Sequence, residues 1–123
     1  MNRDDVSRWL DRYIAAWQSY DRDAIADLFA EDATQRFKPF EEPVVGRDAI
    51  VASWLAEDRI DAPGSWEARY EPFAVEGDRA VVTGVTTYYE DGAVALVYDN
   101  AFTLRFDGEG RCSEFTEWFM KRP

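Results

Sequence analysis

The 123-residue sequence contains no histidine and one cysteine, and only 14 lysines and arginines stand against 25 aspartates and glutamates, a formal charge of −11. The missing histidine excludes a Ser-His-Asp or Cys-His nucleophile and any His-ligated zinc. One cysteine cannot close an internal disulfide, which points to a reducing, cytoplasmic setting. The shortage of basic residues argues against nucleic acid and anionic membrane as partners, because both are bound by cationic patches. No apolar run approaches the roughly 20 residues of a spanning helix. The charged start Met1-Asn2-Arg3-Asp4-Asp5 is unlike a signal core. Asp107-Gly108-Glu109-Gly110 lacks both the Lys-Ser/Thr of a phosphate loop and the ligand spacing of a calcium loop, so it reads as a hairpin turn. No cofactor and no metal are expected. The length suits one domain over residues 1–123.

The first half reads as helices. Val6, Trp9, Leu10, Tyr13, Ile14 and Trp17 recur at the spacing that lines one helical face, and Asp4 and Asp5 suit the positive end of that helix. Asp21 is placed as the N-cap of a short second helix with Ile25, Leu28 and Phe29 on its apolar side. Thr34 to Phe37 is a brief strand. After Gly46, a third helix uses Ile50, Val51, Trp54 and Leu55 and ends before Pro63-Gly64.

The second half changes period. Gly77-Asp78, Asp91-Gly92 and the 107–110 turn separate extended segments at about Ser65–Ala74, Arg79–Tyr89, Ala93–Phe106 and Arg111–Met120. Tight turns make these an antiparallel four-stranded meander, and helices followed by such a sheet define an α+β fold. In the third segment Val94, Leu96, Tyr98, Asn100, Phe102, Leu104 and Phe106 share the inward face, with Asn100 the one side chain lacking an apolar body. Phe115, Glu117 and Phe119 share the inward face of the last segment. Trp66, Ala68 and Tyr70 share that of the first. The second segment is ambiguous, with Val and Thr on both faces.

Tyr13-Ile14-Ala15-Ala16-Trp17, the stretch Asp21 to Ala33, Gly46-Arg47-Asp48-Ala49-Ile50, Leu104 to Arg111 and the closing Glu117-Trp118-Phe119 together resemble the nuclear transport factor 2-like superfamily, in its SnoaL-like and ketosteroid-isomerase-like branch. The resemblance implies a cone: a curved antiparallel sheet wrapped around N-terminal helices, a cystatin-like α+β roll with a pocket at its open end. It also implies a homodimer, and activities ranging from isomerases, cyclases, dehydratases and epoxide hydrolases to non-catalytic binding modules. By that resemblance the isomerases' oxyanion tyrosine falls on Tyr13. Their general-base aspartate falls on Phe37, between Arg36 and Lys38. Their second oxyanion donor falls on Phe102 and their supporting tyrosine on Trp54, so classical ketosteroid isomerisation is not expected.

Without histidine, proton transfer falls to carboxylates, tyrosine or lysine. Glu117, between Phe115 and Phe119, is the candidate acid/base, because an apolar setting lifts a carboxyl toward a useful range. Alternatively it pairs with an arginine such as Arg36. Asn100 orients a ligand carbonyl or hydroxyl, or else satisfies Glu117 or neighbouring backbone. Tyr13 donates to an oxyanion, or is core. Trp17, Trp54, Trp66, Tyr70, Tyr88 and Tyr98, together with Phe102 and Phe115, either line a pocket for a small hydrophobic or aromatic molecule or fill it. Epoxide hydrolysis needs an Asp-Arg-Asp set in the pocket, whereas Asp99 and Arg105 share the outward face. Trp118 with Ala93, Ala95 and Ala101 on the convex face suits packing against a second copy. Cys112 reads as a small packed residue.

Overall fold

The computed structural model describes all 123 residues. Helix α1 (Arg3–Ser19) opens with a capping box: Asn2 accepts from the Asp5 amide at 2.8 Å while the Asp5 carboxylate accepts from the Asn2 amide at 3.0 Å. It ends at Tyr20, whose left-handed backbone (φ 51°) donates its N–H to the Ala16 carbonyl. The apolar stripe read from the sequence is the buried face, with Val6, Trp9, Leu10, Tyr13 and Ala16 inside.

Helix α2 (Arg22–Ala26) is capped by Asp21 as expected but is shorter than its apolar spacing implies. Leu28 and Phe29 do not continue it. The Leu28 carbonyl accepts from the Trp9 indole at 3.0 Å and from the Cys112 amide at 2.8 Å, so two distant groups capture the backbone where a third turn would form. Strand β1 (Phe29–Arg36) therefore starts earlier and runs longer than the expected Thr34–Phe37. Strand β2 (Val44–Val45), helix α3 (Arg47–Trp54) and a 3-10 turn (Glu57–Arg59) follow.

Strands β3 (Trp66–Glu76), β4 (Arg79–Glu90), β5 (Ala93–Phe106) and β6 (Cys112–Lys121) form the expected antiparallel meander. The β4–β5 hairpin has both Asp91 (φ 52°) and Gly92 (φ 78°) left-handed, which explains the Asp-Gly pair. The sheet is larger than the meander. Its order is β2-β1-β6-β5-β4-β3, with β1 parallel to β6 and β2 antiparallel to β1, giving six strands in one curved, unclosed sheet.

Bulges at Pro72/Ala74, Tyr88/Tyr89 and Arg105/Phe106 bend the long strands. The second of these removes Val94 from the inward face on which its parity placed it and leaves it 60% exposed. The ambiguous strand resolves: Ala80, Val82 and Thr86 of β4 are buried, and Tyr88 shares their face. At one end α1 and the sheet close over a dense aromatic core. There Trp9 lies 5.4 Å from Tyr13, 6.2 Å from Phe29 and 5.6 Å from Phe106, centroid to centroid. The aromatic filling stops short of the other end.

Candidate functional site

At that end, α1, the segments after β1 and α3, and strands β3 to β6 enclose a cavity of about 480 Å³. Tyr13 and Trp17 of α1, Trp54 of α3, Tyr70 of β3, Tyr88 of β4 and Tyr98 of β5 supply its aromatic wall. The aromatics thus line space and do not fill it. Three expected members stand elsewhere. Trp66 stacks behind Trp17 at 3.5 Å and does not reach the cavity. Phe102 and Phe115 are fully buried beneath Tyr13, at 6.1 and 5.6 Å, because their strand positions lie deeper toward the closed end.

A polar stripe crosses this aromatic wall, one residue from each of four adjacent strands. The Tyr70 and Thr86 hydroxyls are 2.6 Å apart, Thr86 donates to Asn100 Oδ1 at 2.9 Å, and Asn100 Nδ2 donates to Glu117 Oε2 at 2.9 Å. Strand register explains the alignment: Ala68 pairs with Thr86, Gly84 with Asn100, and Phe102 with Glu117. No lysine or arginine is within ion-pair distance of Glu117, so the expected alternative of an Arg36 pair is not formed. Burial pushes its carboxyl up to about 7 from the ordinary 4.5, against the opposing pull of the Asn100 hydrogen bond.

Tyr13 completes the floor. Burial, and secondarily the Glu117 charge, push its phenol well above the usual tyrosine range, so it stays a protonated donor. Burial likewise raises Tyr70 and Tyr88. The mouth carries groups that no period in the sequence marks. Asp61 accepts from the Trp17 indole at 3.0 Å and from the Tyr20 hydroxyl at 3.4 Å, Arg59 lies over the Phe37 ring at 4.6 Å, and Lys38 over Phe119 at 5.9 Å. Buried Gln35 accepts from the Trp54 indole at 2.9 Å and so fixes that wall.

Asp99 is bound by Arg122 at 2.8 and 2.9 Å, and Arg105 faces Glu114 and Asp78 at 3.6 and 3.9 Å. Neither Asp99 nor Arg105 lines the cavity, so an Asp-Arg-Asp set is not assembled there. No group of three or more His, Cys, Asp or Glu side chains is arranged to hold a metal ion, and no helix is long and apolar enough to cross a membrane. Cys112 is buried, and burial raises its thiol far above the reactive range.

The family model of the SnoaL-like domain matches residues 10–115. The chain belongs to the SnoaL-like domain family. No curated protein matches it by sequence. Among solved structures, this SnoaL-like chain is similar to an NTF-2 like protein of unknown function from Burkholderia xenovorans LB400. That pair has 19% identity and a TM-score of 0.68, covering 98% of this chain and 88% of that one. It is also similar to RV0760c from Mycobacterium tuberculosis, with 14% identity and a TM-score of 0.68, covering 98% and 99%. These likenesses establish the fold.

Within the SnoaL-like frame, Gly84 has a specific job. A Cβ there would collide with the Arg69 carbonyl oxygen and the Tyr70 ring, so only glycine lets Tyr70 lie across β4 with its hydroxyl on Thr86. Gly84→Ala is expected to cost about 1–3 kcal/mol and to swing Tyr70 off Thr86. Chemical denaturation and the near-ultraviolet dichroism of the tyrosines check this.

Proposed function

We propose that the chain binds a small, largely apolar or aromatic molecule in this cavity and moves a proton on it, as an isomerase, cyclase or dehydratase does. Glu117 is the acid/base, and Tyr13 with Asn100 are the groups that orient the reacting oxygen and carboxylate. The observation that carries this reading is Glu117 itself: a carboxyl in an aromatic cavity, without a cationic partner, held by one amide and pushed up to about 7 by burial. A base poised there is ionised often enough to accept a proton and basic enough to take it. The Tyr13 phenol supplies the complementary donor for charge that develops on a ligand oxygen.

The test uses a panel of aryl and alicyclic ketones, chosen because they combine an apolar body with an acidic C–H and a carbonyl oxygen. Ligands that raise the melting temperature are followed by proton NMR in deuterium oxide. Exchange of the α-hydrogen that depends on Glu117 supports the reading. Binding without any exchange favours a non-catalytic binding module of the same fold, for which the apolar Phe37 and Phe102 at the isomerases' two carboxyl positions already speak.

The convex face supports a second proposal, a homodimer. Trp118 and Met120 of β6 and Val81 of β4 are 43%, 76% and 37% exposed there, an apolar surface on a strongly acidic chain. In sedimentation equilibrium the mass is expected to be twice 14.2 kDa, and Trp118→Arg is expected to yield the monomer. A monomeric wild-type chain overturns it.

A further inference from the structure

The polar stripe has a direction. A threonine hydroxyl has one proton, and the Tyr70 hydroxyl meets no acceptor other than Thr86. If Thr86 gave its proton to Tyr70, it would have none for Asn100, whose NH2 would then have to face Thr86 and whose oxygen would face Glu117. Tyr70 is therefore the donor. Thr86 must then give its only proton to Asn100, which turns the amide oxygen toward Thr86 and the NH2 toward Glu117. The opposite amide orientation would place two oxygens against each other at an ionised Glu117, so the orientation with NH2 toward Glu117 is the one that favours the carboxylate.

We propose that Tyr70 and Thr86 are positioning residues that set the orientation of the Asn100 amide, so that it holds Glu117 Oε2 as a carboxylate and leaves Oε1 to the ligand. Neither residue needs to touch the reacting atoms. They act through Asn100, and the stripe couples strand β3 at the sheet edge to the acid/base on β6. The inference deepens the reading of Glu117 as the acid/base, but its readout requires neither a ligand nor turnover.

The readout is the carboxyl 13C shift of Glu117 in the uniformly labelled full-length protein, followed against pH and assigned by its loss in Glu117→Gln. Thr86→Val keeps the side-chain volume and removes the hydroxyl, freeing the amide to turn its oxygen toward Glu117. The midpoint is expected to rise by about one pH unit, roughly the weight of one hydrogen bond to a charged group. Thr86→Ser is expected to restore the wild-type curve. Tyr70→Phe keeps the ring over Gly84 and removes only the terminal donor, so a smaller rise is expected, and this variant decides the matter should Thr86→Val fail to fold.

Other titratable groups sharing the cavity are Tyr13 of α1, Tyr88 of β4 and Tyr98 of β5, with Tyr20, Lys38, Glu41, Arg59 and Asp61 toward the mouth. All are unchanged in these variants, so their fields cancel in the comparison. Superimposable wild-type and Thr86→Val curves overturn the proposal, as does a Thr86→Ser curve shifted as far as that of Thr86→Val. If only Tyr70→Phe is folded, an unmoved midpoint overturns it. Exchange chemistry that fails while the midpoints shift as expected would sink the enzymatic reading and leave this one standing.

Discussion

Glu117→Gln is expected to abolish proton exchange on a bound ligand, by about 10²–10⁴-fold, while making the protein more stable at pH 8. The introduced amide retains an oxygen that can accept from Asn100 and keeps the shape of the site, so ligand binding persists and the loss is confined to the chemical step. The stability gain follows from linkage. An unfolded glutamate ionises near 4.5 and the native Glu117 near 7, so between those values the native state holds the extra proton. Stability therefore falls as pH rises through this window, and above pH 7 the full cost of ionising a buried carboxyl is present, up to about 3 kcal/mol. Glutamine carries no charge at any pH. Melting curves of the two proteins should converge below pH 4.5 and separate at pH 8, with the variant higher. Equal melting temperatures at pH 8 would mean that the carboxyl is not perturbed. Full exchange activity in the variant would remove Glu117 from the chemistry.

Trp9→Ala is expected to cost about 3–5 kcal/mol, a large part of the roughly 5–15 kcal/mol that holds a domain of this size together. Trp9 is 1% exposed, packs on Tyr13, Phe29 and Phe106, and donates to the Leu28 carbonyl at the α2–β1 junction. Its removal opens a cavity at the closed end and frees the backbone that turns Leu28 and Phe29 from helix to strand. The melting temperature should drop by roughly 10–20 °C, with loss of protection in β1 amides by hydrogen exchange. Because Tyr13 loses its stacking partner, ligand affinity should fall too. A loss below about 1 kcal/mol would contradict the packing.

The helical face of α1, the Asp21 cap and the four long strands were legible because each leaves a local mark: a 3.6-residue period, a capping side chain, a turn of Asp and Gly between alternating segments. Asn100 and Glu117 stood out for a related reason, as polar side chains at inward positions of otherwise apolar strand faces. Thr86 did not, since β-branched residues on both faces of β4 erase the alternation that would have marked it. Asp61 and Arg59 lie in a segment without period, and their roles come from reaching Trp17, Tyr20 and Phe37, residues far away in the chain.

The strands' faces and the absence of histidine already confined any acid/base chemistry on the sheet's inward face to a carboxyl or phenol among aromatics, since side-chain parity and residue inventory are properties of the chain alone. Three matters needed the folded molecule. The parallel pairing of β1 with β6 joins a strand that precedes the meander to the meander's last strand, and no local pattern reports it. Whether the aromatics leave a cavity depends on depth along each strand, which placed Phe102 and Phe115 in the core and Tyr88 and Tyr98 on the wall. The direction of the Tyr70–Thr86–Asn100–Glu117 stripe exists only once four strands are in register, because a hydrogen bond's polarity is set by the partners on both of its sides.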